Sequence, residues 1–188
     1  MGTSIGYNRI GCRDLLIPLS VIFAFLVGCY NVAVRSTRDP SYKESVSRMY
    51  ILINHGQLGS EHSHPLVAAL QTEFVQRNVE VLVRVANPLE LDERIYDREI
   101  SAYGPQAVLV LTTTGGTMAS SGGMLQILYD ASLYDSMRKK RIWRAQISNS
   151  GGPALIGARM RKMASEIAGK LEQEKLIGGS DQPRGRGI

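Results

Sequence analysis

The stretch LQILYDASLYDSMRKKRIWRAQIS, residues 125–148, decides the fold. Leu125, Ile127, Tyr129, Ala131 and Leu133 alternate with mostly polar neighbours, and so do Trp143, Ala145 and Ile147. Period-two alternation places each set on one face of a strand. Asp135 to Lys140, between them, is short and polar. The pair therefore reads as an antiparallel hairpin with one buried face.

Upstream, Ala107 to Leu111 is almost wholly apolar, as a central strand covered on both faces would be. Thr114 to Gly123 is rich in small residues and reads as a loop. Val79 to Val85 is rich in valine and reads as a strand, and Met49 to Ile53 as a short buried one. Between these two, Leu66, Val67, Leu70 and Phe74 recur at helical spacing, with Pro65 suited to a first turn and Asn78 to a stop. Leu89 to Tyr103 has helical character with Leu91, Ile95 and Ile100 inward, and Gly104-Pro105 ends it. Downstream, Gly151-Gly152-Pro153 breaks the chain. A last helix from about Ala154 to Leu176 follows, with Ile156, Met160, Met163, Ile167 and Leu171 as its apolar stripe.

The order β-α-β-α-β-β-β-α predicts an α/β fold of α+β variant: a mixed sheet with a C-terminal antiparallel hairpin and packed helices. One domain is expected over residues 48–177, after a polar tether through Ser47 and before a disordered tail at 178–188. Length and composition agree. The chain has 188 residues, and its 44% apolar content excludes global disorder. The net charge is +5, but Lys and Arg are scattered and no basic run interleaves with aromatics. No nucleic-acid partner is therefore expected.

The N-terminus carries a different signal. Arg9 and Arg13 precede an apolar run from Leu15 to Val27, then Gly28 and Cys29. A basic start, a short apolar run and a small residue before a cut form the secretory signal pattern. The run falls short of the ~20 residues a spanning helix needs. A buried helix or a short anchor is the alternative.

Leu26-Val27-Gly28-Cys29 resembles the lipobox of bacterial lipoproteins. The resemblance implies a signal peptide over 1–28, cleavage before Cys29 and lipid, including palmitate, on that cysteine. It also implies sorting. Tyr30 and Asn31 follow the cysteine, in place of the Asp that retains lipoproteins at an inner membrane. In a Gram-negative cell this implies the outer membrane, periplasmic face. The only other cysteine, Cys12, lies in the removed segment, so no disulfide is available to the mature domain. The order of elements is itself similar to small periplasmic α/β lipoprotein domains, such as those related to the TolB amino-terminal domain or the curli-secretion lipoprotein.

Two clusters invite chemistry. His55, His62 and His64 lie close in sequence beside Glu61. Imidazoles on a surface loop could gather one Zn, Cu or Ni ion. The plainer reading is a polar strand-to-helix connection. Thr114-Gly115-Gly116-Thr117 resembles the nucleophile motif of bacterial-type asparaginases, which would imply an attacking threonine. Met118 replaces the family's Ile or Val, its His-Gly-Thr-Asp run is absent, and the chain is far too short. The glycines also lack the GxxxxGK[ST] context of a phosphate loop, and no cofactor is expected.

Elsewhere, Asp92-Glu93 and Asp97-Glu99 alternate with arginines as a solvated helix face does, and Arg138-Lys139-Lys140 reads as a hairpin turn. With no catalytic set in view, the expectation is a membrane-anchored envelope protein that binds or helps assemble a protein partner. The alternatives are a metal or small-ligand binder using the histidines, or a hydrolase using Thr114.

Overall fold

The computed structural model describes residues 30–55, 63–92, 94–118, 124–152 and 155–178. The expected signal peptide, Cys29, His62 and the part of the expected tail beyond Gly178 lie outside the described residues.

Nine elements follow one another among the described residues. They are β1 (Asn31–Arg38), β2 (Arg48–Asn54), α1 (Ser63–Gln76), β3 (Glu80–Val85), α2 (Ile95–Tyr103), β4 (Ala107–Met118), β5 (Met124–Asp135), β6 (Arg141–Ser150) and α3 (Ile156–Gln173). The strands form one sheet in the order β1-β6-β5-β4-β2-β3. β2 runs parallel to both β3 and β4, while the β4–β5, β5–β6 and β6–β1 pairs are antiparallel. The mixed α/β sheet and the C-terminal hairpin are as the sequence predicts, with one more strand.

That strand corrects the tether. Residues 31–38 pair with β6 from Asn31↔Ser150 to Arg38↔Trp143. Val32 and Val34 turn toward the core while Ala33, Arg35 and Thr37 turn out. Ser36 and Arg38 donate to Glu174, just past α3, and Tyr42 and Val46 beyond the strand are buried. The domain thus begins one residue after Tyr30, not near Met49.

Register lines up the core. Met49, Ile51 and Ile53 sit beside Ala107, Leu109 and Leu111. Leu109, Leu111 and Thr113 face Leu133, Ala131 and Tyr129, which in turn face Trp143, Ala145 and Ile147. This whole face is covered by Leu66, Leu70 and Phe74 of α1 and by Met160, Met163, Ile167 and Leu171 of α3, all fully buried. Each such side chain withdrawn from water stabilises by about 1.5–3 kcal/mol. The predicted stripe of α3 holds, with Ile156 packed at its margin.

α2 lies on the opposite face. The chain steps from β2 out to β3, then back past β2 to β4. Two right-handed crossovers in opposite directions put their helices on opposite sides. Tyr50, alternate to Met49 and Ile51, accordingly donates to Glu99 of α2 at 2.8 Å. The inward positions predicted for α2 need correction: no residue of this helix is fully buried, and Leu91 ahead of it is 96% exposed. Gly104 ends α2 in the left-handed region, its N–H bonding Ile100 O.

The Thr114 loop is also corrected. β4 runs on to Met118, with a bulge between Thr113 and Gly115. A Cβ on Gly116 would stand 2.6 Å from Gln126 O, so the strands meet there with no room for a side chain. Among the described residues, no helix is long and apolar enough to cross a membrane.

Candidate functional site

Among the described residues, nothing covers the α2 side of the sheet over β1, β6 and β5. Alternation aims polar side chains onto it in rows set by the pairing. One row is Arg35, Gln146 and Asp130, and the next is Ala33, Ser148 and Leu128. Together with Thr114 these residues line an open groove of about 410 Å3. Arg144 donates to Asp130 at 2.7 Å, and Gln126 to Ser148 at 2.9 Å. Ala33 and Leu128 give the groove an apolar patch, and Leu128 is 39% exposed. A rim of matched charges and amides around an apolar patch is the make-up of a protein-binding surface.

Behind this face, on the core side, lies a buried polar cluster. Arg159 of α3 is 1% exposed. Its Nε donates to Asn149 Oδ1 at 3.0 Å, its Nη2 to Asn149 O at 2.9 Å and its Nη1 to Gly151 O at 2.8 Å. Burial lowers the guanidinium pKa, and nearby Tyr129 opposes that shift. Burial also pushes the Tyr129 phenol up to about 12, against the Thr113 hydroxyl and Arg159, so it stays neutral. The cluster fixes where β6 ends and α3 begins.

His55 follows β2 and is buried. Its Nδ1 lies 3.4 Å from Thr113 Oγ1, and its ring meets Tyr129 edge-on at 6.2 Å. His64 is exposed on α1, and His62 is outside the described residues. The two described histidines therefore differ in setting, one lodged in the core and one in solvent. Among the described residues, no group of three His, Cys, Asp or Glu side chains is placed to hold a metal ion.

Thr114 lies at the β4 bulge, and its hydroxyl donates to Leu128 O at 3.3 Å. An attacking threonine instead directs that proton to a base. Thr117 is exposed farther along the same strand. Cys29 is not described, but its neighbour Tyr30 is. A Cβ on Gly151 would stand 2.7 Å from Tyr30 Cβ, so Tyr30 rests directly on Gly151.

Arg35, Asp130 and Gln146 were not singled out by sequence, because outward polar positions look alike until pairing gathers them. Arg159 did leave a sign. It stands three residues after Ile156 and four before Met163, within the apolar stripe.

No family model matches the chain, and no curated protein matches it. Solved structures do. The PelC dodecamer of Paraburkholderia phytofirmans aligns with a TM-score of 0.48 at 13% identity, over 73% of this chain and 98% of that one. A lipoprotein of Neisseria meningitidis aligns with a TM-score of 0.43 at 15% identity, over 65% and 99%. A Xanthomonas campestris protein, described as DUF330, aligns with a TM-score of 0.41 at 13% identity, over 78% and 94%. These are likenesses of chain path, at identities too low to carry residue roles across.

Proposed function

We propose that this protein is a lipoprotein of the bacterial envelope, anchored through Cys29, which binds a protein partner and does no catalysis. Its place is the periplasmic face of the outer membrane. The observation that carries the binding role is the bare face of β1, β6 and β5, with its groove lined by Arg35, Leu128, Asp130 and Gln146. The other face of the same strands is closed by α1 and α3. A sheet face left open by a chain that closes the other is available to a partner. The lipobox and the absence of Asp after Cys29 support the anchor and the address.

Palmitate labelling of wild type and Cys29→Ala tests the anchor. Label on the wild type alone supports it, and equal labelling overturns it. A photocrosslinker placed at Gln146 in intact cells tests the face, with one at Val75, 63% exposed on α1, as control. A discrete adduct from Gln146 and none from Val75 supports the reading. Adducts from neither position overturn it.

A further inference from the structure

The structure places Tyr30 at a fixed point, and that point orients the domain. Gly151 has φ 152°, in the region that favours glycine, and a Cβ there would stand 3.2 Å from Tyr30 Cα. The Tyr30 backbone is thus held against the bend between β6 and α3. Tyr30 directly follows the cysteine that the lipobox marks for lipid, so the described chain starts at this end of the sheet. A lipid on Cys29 would leave the domain no slack.

The same end of the sheet carries membrane-compatible side chains. Asn31 pairs with Ser150, Ser150 with Gln126 and Gln126 with Thr117, which forms one row across four strands. Tyr30 and Met118 stand one residue beyond that row at its two ends. With strands about 4.8 Å apart, they are separated by roughly 14 Å. Tyr30 is 39% exposed and Met118 60%. α3 starts from this end as well, and its Arg161 and Lys162 are exposed. Lys162 pairs with Glu166 at 2.7 Å, and that carboxylate raises its pKa, with the Tyr30 phenol adding a smaller push in the same direction. An aromatic, a thioether, Arg161 and the half-exposed Lys162–Glu166 pair on one rim match the boundary between lipid tails and anionic headgroups, where an anionic lipid can compete with Glu166 for the ammonium.

We infer that this rim, Tyr30, Met118, Arg161 and Lys162, rests on the headgroups of the leaflet that holds the lipid, with preference for anionic phospholipid. The inference rests on lipidation at Cys29. The strands then rise from the membrane, and the bare face looks sideways, toward neighbours in the same plane. Met137, in the β5–β6 turn and 92% exposed, stands at the far end. A strand of twelve residues sets it about 40 Å away.

The test uses the lipidated full-length protein in phosphatidylcholine vesicles, with and without phosphatidylglycerol. Met118→Cys and Met137→Cys each carry a bimane label, and the lipids carry a nitroxide quencher. The expected result is several-fold stronger quenching and a blue shift at position 118, enhanced by phosphatidylglycerol, with none at position 137. The Arg161→Glu, Lys162→Glu double variant should still float with the vesicles but lose the enhancement. Protein that fails to float overturns the anchor as well as this inference. Protein that floats with equal quenching at both positions overturns the orientation alone, and an unaltered double variant overturns the lipid preference.

Discussion

Arg159 grips Asn149 twice, its Nε on the side-chain Oδ1 at 3.0 Å and its Nη2 on the backbone carbonyl at 2.9 Å. The third arm of the fork reaches Gly151 O. Truncation would orphan these acceptors in the core, at about 1–3 kcal/mol for each left unsatisfied. Arg159→Ala should therefore lower unfolding stability by about 3 kcal/mol or more. Arg159→Lys should restore little, because an ammonium cannot reproduce the planar fork. Urea unfolding of the three proteins measures this, and a lysine variant as stable as wild type would refute the fork's role.

The two glycines at the β4 bulge should respond in opposite ways. A Cβ on Gly116 meets the Gln126 backbone carbonyl at 2.6 Å, whereas one on Gly115 meets nothing within 4 Å. Backbone cannot swing aside as a side chain can. Gly116→Ala should cost about 1–3 kcal/mol, the range for overpacking. Gly115→Ala should be close to neutral. Comparing the two denaturation midpoints checks the contrast.

Much of this fold was legible because its core obeys simple periods. Leu109 and Leu111, the Tyr129–Leu133 face and the Trp143–Ile147 face are buried as alternation requires, and α3 keeps its stripe. β1 was not legible, because only Val32 and Val34 of its eight residues are apolar and turn inward at the sheet edge. Its strand state comes from pairing with β6, a partner more than a hundred residues away. Thr114 to Met118 misled for the reverse reason, since small residues that signal a turn can also permit two backbones to approach. The candidate site is an outcome of strand order. Arg35 and Gln146 are distant in sequence, and no spacing rule joins them.

Acid should weaken the domain through Asp135. Burial raises this carboxyl's pKa, but the Arg138 backbone N–H and guanidinium outweigh that and leave it below the usual carboxylate value. A folded-state pKa below the unfolded one means that the stabilisation is present above the unfolded value. It is lost as pH falls from about 4 through the lower folded-state pKa. Asp135→Asn should be less stable than wild type at neutral pH, and the gap should narrow as pH drops through this window. Thermal unfolding across that range measures it, and a constant gap would show that the charge is not involved.

The bare face should separate binding from stability. Leu128 is 39% exposed and contributes the groove's apolar patch, and Gln146 sits one row away. Leu128→Arg changes a surface position, where substitutions are usually within about 0.5 kcal/mol of neutral. Its melting temperature should therefore stay near the wild-type value. An arginine at this position stands beside Asp130 on the same face of β5 and puts a cation in place of the apolar patch, which a partner fitted to that patch would have to desolvate. The adduct formed from a crosslinker at Gln146 should accordingly fall several-fold in Leu128→Arg. Thr72→Arg, on an exposed position of α1, should leave the adduct unchanged. If both variants crosslinked like wild type, the partner would have to dock elsewhere, and the groove between β1 and β5 would lose its assigned role.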